Sequence, residues 1–405
     1  MSADSNNQVA IGSARREHPA SGAAVSLLVV TALLVLTQLY AAIPLLGPVG
    51  SALSSDVTFA LSTVFSVCYA IGFLIWGPLA DQYGRRRIIL IGLTALTAAT
   101  VICGFAATVS ELAVLRGVQG LTAASFAPVA LAYLAEATAP RMRGIAIGAM
   151  STAFLVAGIA GQVFASAITL MLGWGWVFIL SGIALGICLI GVVVFVVEPP
   201  QESDGTGLVC RFAAVGKVAT RPAVLLLSAA HITLLLSFVA MYTGLGPHLT
   251  LLGLDTSQVI WLRLVGLPGM LVSLFAGPLA QRLGGAAVAR TGFALASIGL
   301  LLESVFSYSL IGTAGASLVF VTGVALAVPS MIILFGEAAA PNRAGGMALN
   351  GFVLFLGASI GPLTARLHLD FPILLIVLAV LTAVAVASLT GFARLTRTKT
   401  TEKLT

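Results

Sequence analysis

Charge is scarce in this sequence. Asp, Glu, Lys and Arg make up 8% of its 405 residues, 59% are hydrophobic, and the mean hydropathy is +1.10. Soluble domains carry roughly 25% charged residues, so these few charges cannot cover a water-facing globule. Cysteine is scarce as well. Cys68, Cys103 and Cys188 stand singly in apolar runs and Cys210 in a basic loop; no pair has metal-ligand spacing, and a disulfide framework is not expected. No phosphate-binding loop is present, which excludes ATP as the power source. No metal constellation, nucleophile motif or pair of catalytic carboxylates speaks for an enzyme. The weak alternation of a membrane barrel is missing. So is a signal peptide: the first residues are small and polar, with Arg15 and Arg16 among them, and the apolar run behind them is too long for a signal core. A short disordered tail over 1–23 and a retained first helix are the expectation.

Long apolar runs are what the sequence has instead. "AAVSLLVVTALLVLTQLYAAIPLL" (23–46) and "WVFILSGIALGICLIGVVVFVV" (176–197) each exceed the ~20 residues that cross a hydrocarbon core. In lipid the backbone must pair within its own segment, so such runs are helices. Breaks at Gly, Pro and charged residues predict helices at 24–46, 57–80, 88–108, 111–136, 144–170 and 174–197. After a polar linker, 198–222, they predict 223–246, 257–280, 287–309, 313–338, 345–367 and 371–394, with a tail over 395–405. The expected fold is an all-α integral membrane protein of twelve transmembrane helices, its six-helix bundles covering 24–197 and 223–394.

Basic residues set the orientation, because loops rich in Lys and Arg stay cytoplasmic. With both termini inside, Arg85–Arg87, Arg141, Arg143, Arg211, Lys217, Arg221, Arg282, Arg290, Arg343, Arg394, Arg397, Lys399 and Lys403 fall on that side. Arg366 falls near the outer end of the eleventh helix, and Arg116 and Arg263 lie within helices. The net charge of +6 is therefore a topology signal and requires no nucleic-acid partner. The chain also repeats itself at an offset near 200 residues. "WGPLADQYGR" (76–85) matches "AGPLAQRLGG" (276–285), "APVALAYLAEATAPRMRG" (127–144) resembles "VPSMIILFGEAAAPNRAG" (328–345), and Gly161 corresponds to Gly361. Two halves repeated in parallel are a known transporter architecture.

The densest charge in the chain stands in the first copy of that repeat, "GPLADQYGRRR" (77–87). Gly77 lets a neighbouring helix approach closely, Gly84 permits the positive φ of a tight turn, and Asp81 is an acceptor at the membrane surface. Arg85 to Arg87 anchor the loop inside. The stretch resembles the loop signature between helices 2 and 3 of the major facilitator superfamily, Gly-x-x-x-Asp-x-x-Gly-Arg-Arg. "RGVQG" (116–120) is similar to that family's helix 4 signature, and "EATAPRMR" (136–143) has its Glu-x6-Arg spacing. The resemblance covers about 24–394 and points to drug- or sugar-efflux-like bacterial members. It implies a gate in which Asp81, Arg85, Glu136 and Arg143 form a charge network with the start of helix 11. The second copy has Gln281 and Gly285 in place of Asp81 and Arg85, so the gate is expected on one side only.

Ionisable residues inside the membrane are costly and usually functional. Arg116, with Gln119 on its face, has either a transport role or a structural hydrogen-bonding one. Arg263 and Glu303, at equal depth on adjacent helices, are expected to form a structural ion pair. His231 lies nearest mid-membrane and shares a face with Ser228 and Tyr242. It titrates near neutral pH and can carry a coupling proton, or sit quietly between helices. The first helix offers Thr31, Gln38 and Tyr40. The resemblance implies that helices 1, 4, 7 and 10 line the cavity, so that Gln38, Arg116 and His231 converge there. A helix 10 with almost no polar residues makes that cavity largely apolar. One departure stands out: family antiporters carry Gly-Pro on helix 5, where this chain has Gln162, and "GASIGP" appears on helix 11 instead (357–362). The expectation is a monomeric, multi-pass protein of the bacterial inner membrane, in contact with lipid and without cofactor or metal. It exports a small apolar or amphiphilic substrate against protons. Uptake by proton symport and a non-transporting sensor on the same fold are the alternatives.

Overall fold

The computed structural model describes residues 20–199 and 207–402. The tail expected over 1–23 and the polar stretch of the linker therefore lie largely outside the described residues, as does Lys403. Among the described residues the structure is helical, with 12 helices long and apolar enough to cross a membrane. Spans 1 to 6 are Gly22–Tyr40, Phe59–Tyr83, Arg85–Cys103, Val109–Ala137, Arg141–Leu172 and Trp174–Phe195. Spans 7 to 12 are Pro222–Leu251, Ser257–Leu283, Gly285–Val305, Leu310–Ala338, Arg343–Leu367 and Phe371–Leu395.

Proline explains where these helices bend. Span 1 breaks at Ala41 before continuing as Ala42–Leu53, span 4 breaks after Ala123, span 8 after Leu264, and span 11 tightens to a 3-10 helix at Gly361–Leu367. Pro44, Pro128, Pro268 and Pro362 stand at or just beyond these points. None can donate to the carbonyl four residues back, and each ring crowds that carbonyl. Capping boxes start spans 4 and 8, built by Thr108 with Glu111 and by Asp255 with Gln258.

The linker is not wholly irregular. Leu208–Ala219 is a helix, too short to span and therefore hidden from a search for long apolar runs. It lies against spans 2 and 11 and so touches both halves of the chain.

The repeat read from sequence reappears in the packing. Span 1 packs on span 5 as span 7 does on span 11; span 2 pairs with 4 as 8 with 10; span 3 pairs with 6 as 9 with 12. A Cβ on Gly161 would stand 3.1 Å from Thr37 Cα of span 1, and one on Gly361 would stand 3.1 Å from the Ala240 nitrogen of span 7. The two glycines thus serve the same close crossing in the two halves. The halves meet along spans 2 and 11 and along spans 5 and 8.

Candidate substrate cavity and gating turn

Span 2 ends at Tyr83 and span 3 starts at Arg85, with Gly84 between them at φ +103°, a conformation that side-chain-bearing residues rarely adopt. That sharp reversal brings Asp81 onto Arg85, with which it forms an ion pair. Arg85 also grips Glu136 of span 4 with two nitrogens, at 2.8 Å and 3.3 Å, the two-pronged contact that guanidinium geometry favours. The other oxygen of Asp81 meets Arg211 of the linker helix at 3.4 Å. Arg86 donates to the carbonyls of Val193 and Val196 at the end of span 6, while Glu198 accepts from the Arg86 and Arg87 amides at the start of span 3. Arg143 does not join this group; its residue is exposed, and no ion pair involves it among the described residues. It projects from the first turn of a helix that leads away from the cluster. The second turn keeps the backbone shape, with Gly284 at φ +85°, but its Gln281 is exposed and brings no charge.

A cavity of about 370 Å³ lies between the halves and reaches this turn. Its walls are Leu36 and Tyr40 of span 1, Phe73 of span 2, Ala127–Ala135 of span 4, Phe154 of span 5, Val328 and Ile332 of span 10 and Phe355 of span 11. Polar lining is confined to a few side chains, among them Ser151, Asn350, and Asp81 with Arg85 at the turn end. Gly77 faces the cavity and has no atom within 4 Å of a Cβ placed on it, so it is not the close helix contact expected from sequence.

Three of the residues expected to meet at the cavity are instead hydrogen-bonded to one another away from it. Arg116 is fully buried; its Nε donates to the Leu61 carbonyl at 2.7 Å, Nη1 to Gln119 Oε1 at 2.5 Å and Nη2 to the Gln38 carbonyl at 3.0 Å. Gln119 Nε2 donates in turn to Gln38 Oε1 and Thr100 Oγ1. The Phe65 ring lies 4.2 Å beneath the guanidinium carbon. Gln38, Arg116 and Gln119 thus fill the interior where spans 1 to 4 meet.

His231 also stands off the cavity. It is fully buried on span 7, with Nε2 2.9 Å from Asn350 Nδ2. Tyr242 is buried with its hydroxyl unpartnered, near Gly266 of span 8. Arg263 and Glu303 are not paired. Arg263 Nη1 donates to Ser166 of span 5 at 3.1 Å, and both carboxyl oxygens of Glu303 lack a partner. Spans 8 and 9 meet near their shared turn, through Ser273–Leu283, but the Thr256–Leu264 segment that carries Arg263 packs on spans 5, 7 and 10.

At the end away from the charged turn the halves are tied. Arg366 holds Asp56 Oδ2 with two nitrogens, at 2.6 Å and 3.1 Å, and Thr63 donates to the Ser359 carbonyl at 3.1 Å. The Thr58 side chain and amide hold the Asp56 carboxyl down, from 3.8 to about 2, with a smaller contribution from Arg366. The cavity thus borders the charged turn at one end, and the halves are tied at the other.

The Major Facilitator Superfamily model matches residues 28–362. The chain belongs to that superfamily. Its twelve-span fold is shared by solved structures of transporters. The human organic anion transporter MFSD10 superposes with a TM-score of 0.67 at 16% identity, over 91% of this chain and 99% of that one. A bacterial homologue of the lysosomal transporter Spinster, captured inward-facing and unoccupied, gives 0.68 at 18%, over 91% and 96%. In sequence, Multidrug resistance protein 3 of Bacillus subtilis is 30% identical over 137 residues, 34% of this chain and 27% of that protein. Multidrug export protein EmrB of Haemophilus influenzae is 31% identical over 129 residues, 32% and 25% respectively. The chain thus aligns with about a quarter of the length of these two curated relatives.

Four participants escaped the sequence reading. Arg211 and Glu198 flank the polar linker and looked like ordinary loop charges. The Asp56–Arg366 tie joins residues 310 positions apart. Asn350 is a lone amide in an apolar run, a pattern that marks a buried polar group without naming its partner.

Proposed function

We propose that this superfamily member is a secondary transporter that exports a small apolar or amphiphilic compound in exchange for protons. The observation that carries the proposal is an apolar cavity between the halves, reaching the Asp81–Arg85 turn. Few polar groups line it, so its occupant is held mainly by shape and apolar contact. The Arg85–Arg87 turn borders one end of the cavity, and by the rule for basic loops that end is cytoplasmic. The cavity then receives its substrate from inside, in a bacterial inner membrane. The likeness to the Bacillus and Haemophilus multidrug proteins favours export over uptake.

Cycling separates two sets of contacts. Outward opening parts Asp56 from Arg366 and Arg263 from Ser166, and brings the turn ends together over the cavity. His231 is the group proposed to carry the coupling proton, since histidine changes charge between about pH 5 and 8 and it lies one hydrogen bond from the cavity wall. Everted membrane vesicles with an imposed pH gradient, a pH-sensitive dye and a panel of lipophilic compounds test the reading. Export predicts gradient-driven accumulation with proton release, and His231→Gln abolishes accumulation while leaving downhill exchange. Substrate-driven proton movement in the opposite sense would instead establish uptake, and no movement with any compound would refute transport of this class.

A further inference from the structure

We infer that Asn350 is a hydrogen-bonding contact for the substrate, and that His231, buried behind it, sets which end of the amide the substrate meets. This deepens the export reading and rests on it. Asn350 lines the cavity and its Nδ2 lies 2.9 Å from His231 Nε2. His231 is fully buried and does not line the cavity. Its Nδ1 has no partner, so among the described residues Asn350 makes the one hydrogen bond to the ring. Facing the ring are Asn350 from span 11 and the Phe335 ring from span 10, 5.4 Å away. Among the described residues no ion pair or charged hydrogen-bond partner is found at the ring.

An amide has a donor end and an acceptor end, and a neutral imidazole has one of each. With Nε2 bare, the amide must turn its NH₂ toward the ring, and its carbonyl oxygen is left for the cavity. A proton on Nε2 would set two donors against each other, so the amide turns over and accepts with Oδ1. The NH₂ is then what the cavity offers. The proton state of a ring that never touches the substrate is thereby displayed on the cavity wall. A mainly apolar molecule with one hydrogen-bond donor, of the phenol class, fits the wall when His231 is neutral with its proton on Nδ1, and loses its partner when a second proton arrives on Nε2. Substrate and proton exclude each other without sharing a contact, as exchange requires.

The test uses a naphthol and its methyl ether, matched in shape but differing in one donor, bound to the full-length protein in lipid nanodiscs. At about pH 8 the wild type should bind the naphthol about tenfold more tightly than the ether, the value of one buried hydrogen bond. At about pH 5.5 that preference should vanish or reverse. Asn350→Leu should bind both probes alike at either pH. His231→Leu should discriminate equally at both, because nothing then turns the amide. The Asn350→Leu/His231→Leu double variant leaves no partner stranded and should behave as Asn350→Leu does, which separates recognition from misfolding. The inference falls if the wild type binds both probes alike or binds neither, if its preference ignores pH, or if Asn350→Leu keeps the pH-switched preference. Gradient-driven efflux in vesicles is read in parallel. Proton-driven efflux without discrimination overturns this inference alone, whereas switched discrimination without any gradient-driven movement overturns the export reading alone.

Discussion

Both halves of this transporter bury an arginine, and they treat it in opposite ways. In the first half Arg116 spends its donors on Leu61, Gln119 and Gln38 and stacks on Phe65. In the second half Arg263 has one bond, to Ser166 across the interface, and its Nε has none. Both carboxyl oxygens of Glu303 are unpartnered in the same half, while the unpartnered atoms of the first half, on Tyr69, Thr97, Ser125, Thr138 and Gln162, carry no charge. A buried polar atom without a partner costs about 1–3 kcal/mol. The network around Arg116 is thus closed, whereas the buried charges of the second half, Arg263 and Glu303, are left short of partners.

The strongest way to break the contrast is to open the closed framework. Arg116→Leu strands the carbonyls of Leu61 and Gln38 and the Gln119 side chain, and should cost about 1–3 kcal/mol for each buried group left without a partner. Folded yield and melting temperature in detergent would show the loss, and Arg116→Lys should recover little of it, because an ammonium lacks the planar fork that reaches three acceptors. A yield near wild type with transport alone abolished would place Arg116 among the moving parts.

The gate comes next. Asp81→Asn keeps the turn's shape but removes the charge that Arg85 and Arg211 share. Transport should fall about tenfold, roughly 1.4 kcal/mol, while membrane insertion stays near normal. Placing Asp at Gln281, in the uncharged second copy, should not restore it. Efflux kinetics from whole cells provide the measurement, and an Asp81→Asn variant with normal kinetics would remove the turn from the gate.

These contacts also mark how far the sequence could be read. The spans, the duplicated halves and the turn were legible because each is carried by residues near one another in the chain: apolar run length, the 200-residue echo, the Gly-Asp-Gly spacing. The Arg85–Glu136 contact followed from the family likeness. What was missed depends on which face of a helix meets which neighbour. Arg263 and Glu303 sit at matching depth on consecutive helices and looked paired. Span 8, however, breaks near Pro268, and its outer segment lies on spans 5, 7 and 10. Gln38 and Arg116 did converge, but on each other rather than on the cavity. The linker helix was too short to register, although it supplies Arg211 to the gate.

Glu303 and Arg263 give a smaller effect that sharpens the comparison further. Glu303→Gln swaps an unpartnered carboxyl for a neutral group of the same shape, and should leave stability unchanged or raise it by about 1 kcal/mol. Because the two residues are unpaired, a double-mutant cycle between them should return a coupling below about 0.5 kcal/mol. A coupling of several kcal/mol would restore the ion pair, and with it a buried charge as well satisfied as Arg116.

The smallest effect is expected at the far-end tie, where the contrast between halves gives way to solvent. Asp56 and Arg366 leave about half of each side chain exposed, 51% and 54%, and exposed pairs contribute about 0–1 kcal/mol. Asp56→Asn should therefore shift the melting temperature little. The sign of its pH dependence follows from the carboxyl being held below its ordinary value, from 3.8 to about 2, first by Thr58. A depressed acid contributes stability that is present above 3.8 and lost as pH falls toward 2. Between about pH 5 and 8 the tie stays fully charged, so it cannot be the proton sensor. The measurement is efflux against pH for Asp56→Asn and the wild type. The two profiles should be parallel across that window, displaced only by the small bias toward an outward-open state that the weakened tie allows. A changed slope in the Asp56→Asn profile would move proton sensing to the far end and take it from His231.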